Sequence, residues 1–573
     1  MRNLKRALSL ALASVMLLGM MVVGSSAKGI DDFTDKAEIV NQDAVAVTSA
    51  IGMFEGYEDG SFGPENVVTR AEMAVIICTM LYGAGVNVNQ FAETNVFTDV
   101  PAWAQGYVNL CSSLGIVAGV GDGKFDPNAT VTTAQAVLML CRALGYFQSA
   151  ADFGDNWMLA ATAKGTALGL YGDLKLAANE GLTRDNVAEL VFNALTKAVP
   201  VQYNELLGVY YNENKGILYS LTYYYTDTLG YKNFDLVYKT NENTDYGRPG
   251  TTWGIGSYRM DGNPSGEGNK EGVLNEDGSL IPERVKMTSD DEIITVADTP
   301  DFTYTANTKE NVIYKAVGKS VVDDYTWNVY VDGDEQADPA IPDNDKDTDY
   351  AYTAKGATTE IYVDDVNDTV TVVMINYYMA EVTKVKDGEV TVRVLSDKAK
   401  TNPIDERTIT ADGFAEDDYV VITVDVNDDD DSFIASIADP EAVEGTVTRV
   451  SKDSDPEGNQ GSYVKMDDGS KHTYSKYTAS DLDDINEVHP TLDIAYRLYL
   501  DPNGYVIGFL AMDDYYANYL YVDTADSYLK TIEAKVVFTD GTEKKVTIDG
   551  CENCVKTAVG ELEDLGFTPE VQG

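Results

Sequence analysis

The chain has 573 residues, with 42 lysines and arginines against 94 aspartates and glutamates, a formal net charge of -52. This length exceeds what one hydrophobic core supports, so we expect three or more domains. The charge repels nucleic acid and anionic lipid and argues against both as partners, while the 44% hydrophobic content favours folded domains over an acidic disordered chain.

The first 27 residues have the pattern of a secretory signal peptide. The basic residues Arg2, Lys5 and Arg6 precede an apolar run at residues 7–23, and small residues up to Ala27 predict cleavage there. An uncleaved membrane anchor is the alternative. The sequence has no other run of about 18 apolar residues, so we expect that the mature protein does not span a membrane.

Five cysteines in so long an exported chain do not form a disulfide framework. Cys78, Cys111 and Cys141 lie among apolar helical neighbours, which predicts small buried side chains. Cys551 and Cys554 form a single CENC motif, for which a local disulfide and a weak zinc motif are the open alternatives.

Three similar segments follow the signal peptide, and each predicts a helix, a glycine-rich turn, a loop and a second helix. They start with FTDK, FTDV and FGDN at Phe33, Phe97 and Phe153. We therefore expect one small unit repeated three times, in which each copy needs its neighbours to bury its apolar face. The expected boundaries are residues 30–90, 91–150 and 151–199.

The second helix of each unit has one continuous apolar face, with apolar residues at positions i, i+3, i+4, i+7 and i+8. This spacing predicts that the three helices meet in one bundle core. The three faces are Met73, Ile76, Ile77, Met80 and Leu81; Ala136, Met139, Leu140, Ala143 and Leu144; and Val187, Leu190, Val191, Ala194 and Leu195.

A threonine cap starts each of these helices, with a carboxylate or amide side chain three residues later, as in a capping box. The pairs are Thr69 with Glu72, Thr132 with Gln135 and, in a weaker form, Thr183 with Asn186.

Arg70 and Arg184 follow the first and third caps, at the first helical position, where a cation opposes the helix dipole. One interpretation is a solvated arginine, or one paired with a nearby carboxylate. The other is an anion site, in which the guanidinium and the N–H groups of the helix start together bind a carboxylate or phosphate.

Short motifs recur at matching places in the first two units, and together they resemble the S-layer homology (SLH) domain of bacterial cell-envelope proteins. The resemblance covers roughly residues 30 to 198. The motifs are Phe33-Thr-Asp35, Gly56-x-x-Asp59-Gly60-x-Phe62-x-Pro64 and Thr69-Arg-Ala-Glu72, then Phe97-Thr-Asp99-Val100-Pro101, Trp103-Ala104 and Gly119-x-x-Asp122-Gly123-x-Phe125-x-Pro127.

The resemblance implies a pseudo-threefold SLH trimer with a central three-helix bundle and grooves between the repeats. Such grooves bind secondary cell-wall polysaccharide, often with a pyruvate ketal, whose carboxylate would meet Arg70 and Arg184 beside the capping Glu72. This would reconcile a locally cationic site with the acidic chain.

The resemblance also implies that Asp35, Asp99 and Asp155 touch sugar hydroxyls or organise the groove. Trp103 would stack on a sugar ring or, equally, belong to the core. Thr133 replaces the arginine in the second copy, so we expect that groove to be weak or silent.

After Pro200 the sequence is rich in Val, Thr, Tyr and Asp, and alternation replaces helical spacing. The turns Asp387-Gly388, Asp468-Gly469 and Asp540-Gly541 predict hairpins. We expect tandem β-rich, sandwich-like modules with a short C-terminal helix in CVKTAVGELEDLGF, and the predicted modules are residues 200–326, 327–440 and 441–573.

A second repeat runs through this part of the chain. TVTVVMINYYMAEVTKV at residues 369–385 resembles residues 431–450 and, more loosely, residues 504–522. Each copy predicts a strand, a short acidic or tyrosine-rich link and another strand.

Alternating carboxylates at Asp343, Asp345 and Asp347 suit calcium, which takes six to eight oxygen ligands. An EF-hand loop that began at Asp343 would need glycine and glutamate where the chain has Thr348 and Ala354. Solvated loop charge is the alternative interpretation.

The sequence contains no GxSxG, HExxH or P-loop motif, and neither His472 nor His489 accompanies a nucleophile motif. The leading hypothesis is a non-enzymatic, wall-anchored surface protein that assembles into a surface layer. The alternatives are an anchored polysaccharide hydrolase and an anchored glycan-binding adhesin, since a glycosidase carboxylate pair has no sequence signature.

Overall fold

The computed structural model of the chain describes residues 30–92, 96–212, 216–217, 224–259, 274–275, 278–396, 404–427, 429–451, 463–479, 489–512, 520–528, 531–538 and 543–549. The predicted signal peptide, Cys551, Cys554 and the predicted C-terminal helix lie outside these residues. Across the described ranges, no helix is both long and apolar enough to cross a membrane.

The chain is multidomain, with a helical N-terminal region and a β-rich C-terminal region, and it divides into two compact units. The units are Met1–Thr244 with Arg248–Thr299 and Asp364–Asn367, and Asp245–Gly247 with Pro300–Val363 and Asp368–Gly573.

Eight α-helices are described in the first unit and two in the second. In chain order they are α1 Gln42–Ala50, α2 Arg70–Tyr82, α3 Asn89–Ala92, α4 Ala102–Ser113, α5 Thr133–Ala143, α6 Trp157–Ala167, α7 Arg184–Thr196, α8 Leu229–Phe234, α9 Glu310–Val317 and α10 Lys319–Asp324.

The described strands of the first unit follow the helical region. They are β1 Gln202–Asn204, β2 Val209–Asn212, β3 Gly216–Ile217, β4 Leu236–Asn243, β5 Pro249–Ile255, β6 Ser257–Tyr258, β7 Val285–Lys286 and β8 Glu292–Ala297.

The described strands of the second unit form four sheets. They are β9 Phe302–Tyr304, β10 Thr326–Val331, β11 Asp334–Glu335, β12 Thr358–Asp364, β13 Thr369–Ile375, β14 Tyr378–Lys386, β15 Glu389–Val394, β16 Thr408–Thr410, β17 Tyr419–Val426, β18 Ser432–Ala438, β19 Glu441–Ser451, β20 Tyr463–Met466, β21 Lys471–Thr473, β22 Ala495–Leu500, β23 Val506–Ala511, β24 Leu520–Tyr528, β25 Thr531–Phe538 and β26 Glu543–Asp549.

The apolar faces predicted for α2, α5 and α7 lie in one hydrophobic core, with only Leu81 and Ala143 partly exposed. The predicted caps are also present. Thr69 with Glu72 and Thr132 with Gln135 form capping boxes, and the Thr183 side chain accepts from the Asn186 N–H. Cys78, Cys111 and Cys141 are buried in this core, as the sequence predicted.

The three repeats are joined in a cyclic order, because each helix start receives the loop of the next repeat. The N–H of Arg70 donates to Ala129 O, that of Thr133 donates to Glu180 O, and that of Arg184 donates to Asn66 O. The next N–H in each helix donates to a second carbonyl of the same loop, at Pro127, Ala178 and Pro64.

The segment after Pro200 extends the helical core. Val201, Leu229 and Leu236 are buried in the same cluster as the bundle helices, and Asn233 Nδ2 donates to the carbonyls of Met80 and Leu81. A second, smaller cluster, which includes Tyr225, Val237 and Leu280, belongs to this segment alone. Through these contacts the described part of residues 200–299 packs on the bundle, whereas the sequence predicted a separate β-rich module over residues 200–326.

The first sheet of the second unit has the strand order β11-β10-β13-β12-β9, with β10 parallel to β13. Helices α9 and α10 precede β10, and Ile313 and Val321 from these helices are buried with Trp327 and Val370 of the sheet. The sequence reading missed both helices, because each is short and surrounded by strand-like composition.

The next two sheets have the same architecture. Their strand orders are β16-β15-β14-β17-β18 and β21-β20-β19-β22-β23, so in both the first strand of the module is central. Parallel bridges between Glu406 and Phe433, and between Tyr474 and Val506, bring the third and fifth strands of each module together. Each sheet thus curls round its own core, which differs from the predicted sandwich of two stacked sheets.

The repeat found in the sequence marks the junctions between these modules. Residues 369–385 cover β13, a two-residue link and β14, and residues 431–450 cover β18, Asp439-Pro440 and β19. The repeated unit is therefore the last strand of one sheet followed by the central strand of the next. Residues 327–440, expected as one module, contain strands of two sheets for this reason.

Candidate functional site

The Arg184 side chain crosses from the third repeat into the glycine-rich turn of the first. Its guanidinium lies over the rings of Phe54, Tyr57 and Phe62, with Cζ at 5.4, 5.0 and 4.8 Å from their centroids. Nε donates to Phe62 O at 2.9 Å and Nη2 donates to Glu55 O at 2.8 Å. The residue is 6% exposed, and burial lowers its pKa from the usual value.

Arg70 repeats this arrangement between the first and second repeats. Nε donates to Phe125 O at 3.1 Å, Nη2 donates to Ala118 O at 3.0 Å, and Cζ lies 4.6 Å from the Phe125 ring centroid. Burial lowers its pKa, while the nearby carboxylates of Asp126 and Asp99 oppose that shift. Both arginines therefore occupy equivalent places in successive repeats.

Neither interpretation of these arginines from local sequence describes them fully. They are buried against aromatic rings and carbonyls of another repeat, and within the described part of the chain neither is paired with a carboxylate. The first two N–H groups of each helix are occupied by carbonyls of the next repeat, and the third is bonded to the capping threonine. Among the described residues, Nη1 of each guanidinium has no hydrogen-bond partner, so that atom is the donor left for a ligand.

Asp35 and Asp99 shape the turns on which the arginines rest. The Asp35 carboxylate accepts from the N–H groups of Phe62 and Gly63 at 2.7 and 2.8 Å. The Asp99 carboxylate accepts from Phe125 and Asp126 at 2.8 and 2.9 Å. Burial alone would raise the pKa of Asp99, but these backbone hydrogen bonds bring it below its usual value.

Each turn is therefore held from two sides. A carboxylate binds the N–H of the turn phenylalanine, and an arginine from a different repeat binds its carbonyl. Of the two roles that the SLH resemblance allowed for Asp35 and Asp99, the structure shows contacts that suit organisation of the groove.

The other predicted site residues are placed differently. Glu72 accepts from the Thr69 N–H at 2.7 Å within the capping box. Trp103 is half-buried on α4 and packs against the bundle core. Asp155 is exposed and forms no hydrogen bond within the described part of the chain, while the nearby Asp152 accepts from the Ser149 N–H and the Tyr210 hydroxyl.

The third interface has no guanidinium at the equivalent place. Thr133 is fully buried, and both its N–H and its Oγ1 donate to Glu180 O. Leu176 stands where the other two turns have a phenylalanine, two residues before the carbonyl that accepts from the second helical N–H. This interface therefore lacks both the cation and the aromatic ring of the other two.

The predicted calcium ligands are hydrogen-bonded within their own loop in the structure. The Asp345 N–H donates to Asp343 Oδ1 and the Asp347 N–H donates to Asp345 Oδ1, so these carboxylates cap successive turns of their own loop. Lys309 pairs with Asp349 at 2.8 Å. No group of three or more potential metal ligands occurs among the residues that the structure describes, and calcium binding at Asp343, Asp345 and Asp347 stays a prediction.

Sequence reasoning missed the aromatic surroundings of the arginines. Phe62 and Phe125 stood in the quoted motifs without a role, and Phe54, Tyr57 and the accepting carbonyls were not singled out. The recurrence of a phenylalanine at one place in both turns was the signal available. Nothing in the sequence signals that an arginine contacts this phenylalanine, because Arg184 lies 122 residues from Phe62.

Comparison with known proteins supports the assignment of the first two repeats. The family model of the S-layer homology domain matches residues 32–74 and 96–137. A cell surface protein of Thermoanaerobacter kivui is 35% identical over 198 residues, which are 34% of this chain and 25% of that protein. The middle cell wall protein of Brevibacillus brevis is 31% identical over 196 residues, which are 34% of this chain and 18% of that protein.

An enzyme also occurs among the similar proteins. An endoglucanase of Bacillus sp. strain KSM-635 is 24% identical over 164 residues, which are 26% of this chain and 16% of the enzyme. The chain thus matches a quarter or less of the length of all three proteins, and the shared part accompanies different functions in them.

Proposed function

We propose that this chain, an SLH-domain protein similar to cell-surface and surface-layer proteins, is a non-catalytic protein of the cell wall surface. Its SLH repeats bind an acidic secondary cell-wall polysaccharide, and its β modules form a surface structure. One observation carries this proposal: Arg70 and Arg184 each lie against at least one aromatic ring and keep one guanidinium nitrogen without a partner among the residues that the structure describes.

Such a guanidinium suits a carboxylate of the polysaccharide, for instance a pyruvate ketal. Each arginine is already fixed by two hydrogen bonds to carbonyls and by contact with the ring of Phe125 (Arg70) or with three rings (Arg184). Little side-chain entropy is therefore lost on binding. Because the arginine is largely desolvated, its attraction to one carboxylate is stronger than at an exposed site, despite the charge of -52 on the whole chain.

The cyclic order of contacts between helix starts and loops favours a pseudo-threefold arrangement of the repeats with three inter-repeat grooves. Two of these grooves contain an arginine. We expect the groove at Thr133 to bind the polysaccharide weakly or not at all, with Asp35 and Asp99 as positioning residues in the other two and Asp155 and Trp103 as peripheral sugar contacts.

Self-assembly into a surface layer is part of this proposal and draws on the relatives described as surface-layer and cell wall proteins. The alternative is an SLH-anchored hydrolase, and the relative described as an endoglucanase favours it as the second candidate. Release of reducing sugar from wall or plant polysaccharide by the full chain would decide for that alternative.

The test is co-sedimentation of the full chain with cell-wall sacculi, before and after chemical removal of pyruvate from the polysaccharide. We expect depyruvylation to abolish binding of the unaltered protein, a result that no folding defect can explain. Arg70→Ala with Arg184→Ala should also abolish it.

The matched control is Arg142→Ala, since the Arg142 guanidinium also lies over a ring, at 5.2 Å from Phe153, but does not start a helix. We expect this variant to bind as the unaltered chain does. Equal binding to native and depyruvylated sacculi would reject the carboxylate as the ligand group.

A further inference from the structure

Three cations lie side by side on one face of the β19–β23 sheet. Arg449 of β19 stands directly opposite Lys465 of β20, which stands directly opposite Lys471 of β21. Directly opposed residues share a sheet face, and all three side chains are exposed. With strands about 4.8 Å apart, this cation row (Arg449, Lys465 and Lys471) extends about 10 Å across the sheet.

Such a row is unfavourable in the protein alone, because like charges directly opposite each other destabilise a sheet. Two other charged cross-strand pairs in the β14–β18 and β19–β23 sheets have opposite sign: Glu381 pairs with Arg393, and Glu444 pairs with Arg497. No carboxylate of the described residues forms an ion pair with the cation row, although the chain has 94 acidic residues.

The neighbouring sheet provides an internal comparison. Both modules have a bulge at the same place, after Val382 in β14 and after Val447 in β19, so their registers can be aligned residue by residue. The positions equivalent to the cation row are Lys384, Thr391 and Thr408. Two threonines therefore occupy the places of two lysines, and the fold shared by the two modules does not require the row.

An aromatic ring lies beside the row on the same face. Tyr463 is half-buried, with Lys471 Nζ at 4.0 Å and Arg449 Cζ at 6.0 Å from its ring centroid. Its cross-strand partners are Ser451 and Thr473, which add two hydroxyl groups. The ring attracts the two outer cations, but it does not remove the repulsion between them and the central lysine.

We propose that the cation row and Tyr463 form a binding surface for an anionic glycan, a polysaccharide with carboxylates at regular intervals. The cations bind successive carboxylates, and the uncovered part of the ring takes the apolar face of a sugar. The charges are spread too far for one phosphate or one carboxylate to satisfy them. An acidic peptide would supply the carboxylates but not a sugar ring whose apolar face packs on Tyr463.

This surface belongs to the second unit and uses none of the residues placed near Arg70 and Arg184. It is therefore a second glycan contact, independent of the function proposed for the repeats. It also gives a β module a ligand of its own.

The experiment measures binding of polygalacturonate, which has one carboxylate per sugar, to the full chain at low ionic strength. The variant Lys465→Thr with Lys471→Thr introduces the residues of the sister module. The control Arg393→Thr with Arg497→Thr removes the same charge from two ion-paired positions. We expect binding about tenfold weaker in the first variant and within about twofold of the unaltered chain in the control, because exposed charge contacts each contribute modestly.

Thermal unfolding of both variants checks that the sheets are intact. An equal loss in the two variants would overturn the proposal in favour of a general charge effect. So would an absence of polygalacturonate binding by the unaltered chain. Equally tight and equally row-dependent binding of poly-glutamate would show an acidic protein surface instead and would overturn the assignment to a glycan.

Discussion

Asp501, at the end of β22, is a buried carboxylate whose replacement by asparagine has a calculable effect. It is 2% exposed, and Oδ1 accepts from the N–H groups of Asn503 and Tyr505 at 2.9 and 3.0 Å. Oδ2 is buried without a hydrogen-bond partner of good geometry among the described residues. Burial raises the pKa of Asp501 from 3.8 to about 7, and the two backbone hydrogen bonds offset only part of this shift.

The sign of the effect on stability follows from proton binding. Between pH 3.8 and about 7 the unfolded carboxyl is ionised while the folded one still binds its proton, so the free energy of unfolding falls as pH rises and levels off above that window. A shift of roughly three units corresponds to about 4 kcal/mol as an order of magnitude. Asp501→Asn keeps the acceptor for the two N–H groups and removes this pH dependence.

Hydrogen exchange of the β22 and β23 amides at pH 5 and pH 8, corrected for intrinsic exchange rates, measures this locally. We expect the unaltered chain to lose protection by about 3 kcal/mol at the higher pH, because only about two units of the window lie above pH 5, and the variant to lose much less. Burial also raises the pKa of Asp332 to about 6, so some decrease of stability with rising pH remains in both proteins. Protection that is constant or greater at pH 8 in the unaltered chain would refute the reasoning.

Two further substitutions test the packing. Asp35→Ala leaves the N–H groups of Phe62 and Gly63 without their acceptor. We expect thermal unfolding to show that the repeats lose roughly 2–4 kcal/mol of stability, and we expect weaker binding to sacculi. Full binding by this variant would show that the turn at Phe62 does not contribute to the polysaccharide site. Gly333→Ala would place Cβ 2.0 Å from Asp425 Oδ1 at a φ of +83°, whereas Gly388→Ala meets no atom within 4 Å at a φ of +84°. In thermal unfolding we expect Gly388→Ala to lose about 1–2 kcal/mol of stability and Gly333→Ala to lose clearly more. Equal losses in the two variants would contradict the close contact between position 333 and Asp425.

The features that the sequence predicted correctly are those fixed by residues close together in the chain. The capping boxes at Thr69 and Thr132 and the apolar faces of α2, α5 and α7 were confirmed, because a helix repeats every 3.6 residues and its cap lies within one turn. The hairpin turn at Asp387-Gly388 was confirmed for the same reason, with both residues at positive φ.

What the sequence did not predict depends on contacts between distant segments. The first helical position left Arg184 either solvated or ion-paired, or part of an anion site, but its surroundings come from a turn more than a hundred residues earlier and could not be predicted locally. The β repeat was visible, but similarity alone does not tell whether a repeated strand pair lies within one sheet or joins two. Short helices such as α9 were hidden because tertiary packing of Ile313, not local propensity, stabilises them.

The two-residue links between β modules have a consequence for survival outside the cell. Two residues extend at most about 7 Å, which leaves no slack for a protease that must bind a longer stretch of extended chain. At the first link, Asn376 is 1% exposed and bonded to Asp332 through both its N–H and its side-chain amide. Digestion should therefore begin elsewhere than at Asn376-Tyr377 and Asp439-Pro440, so that early fragments do not end at these two links.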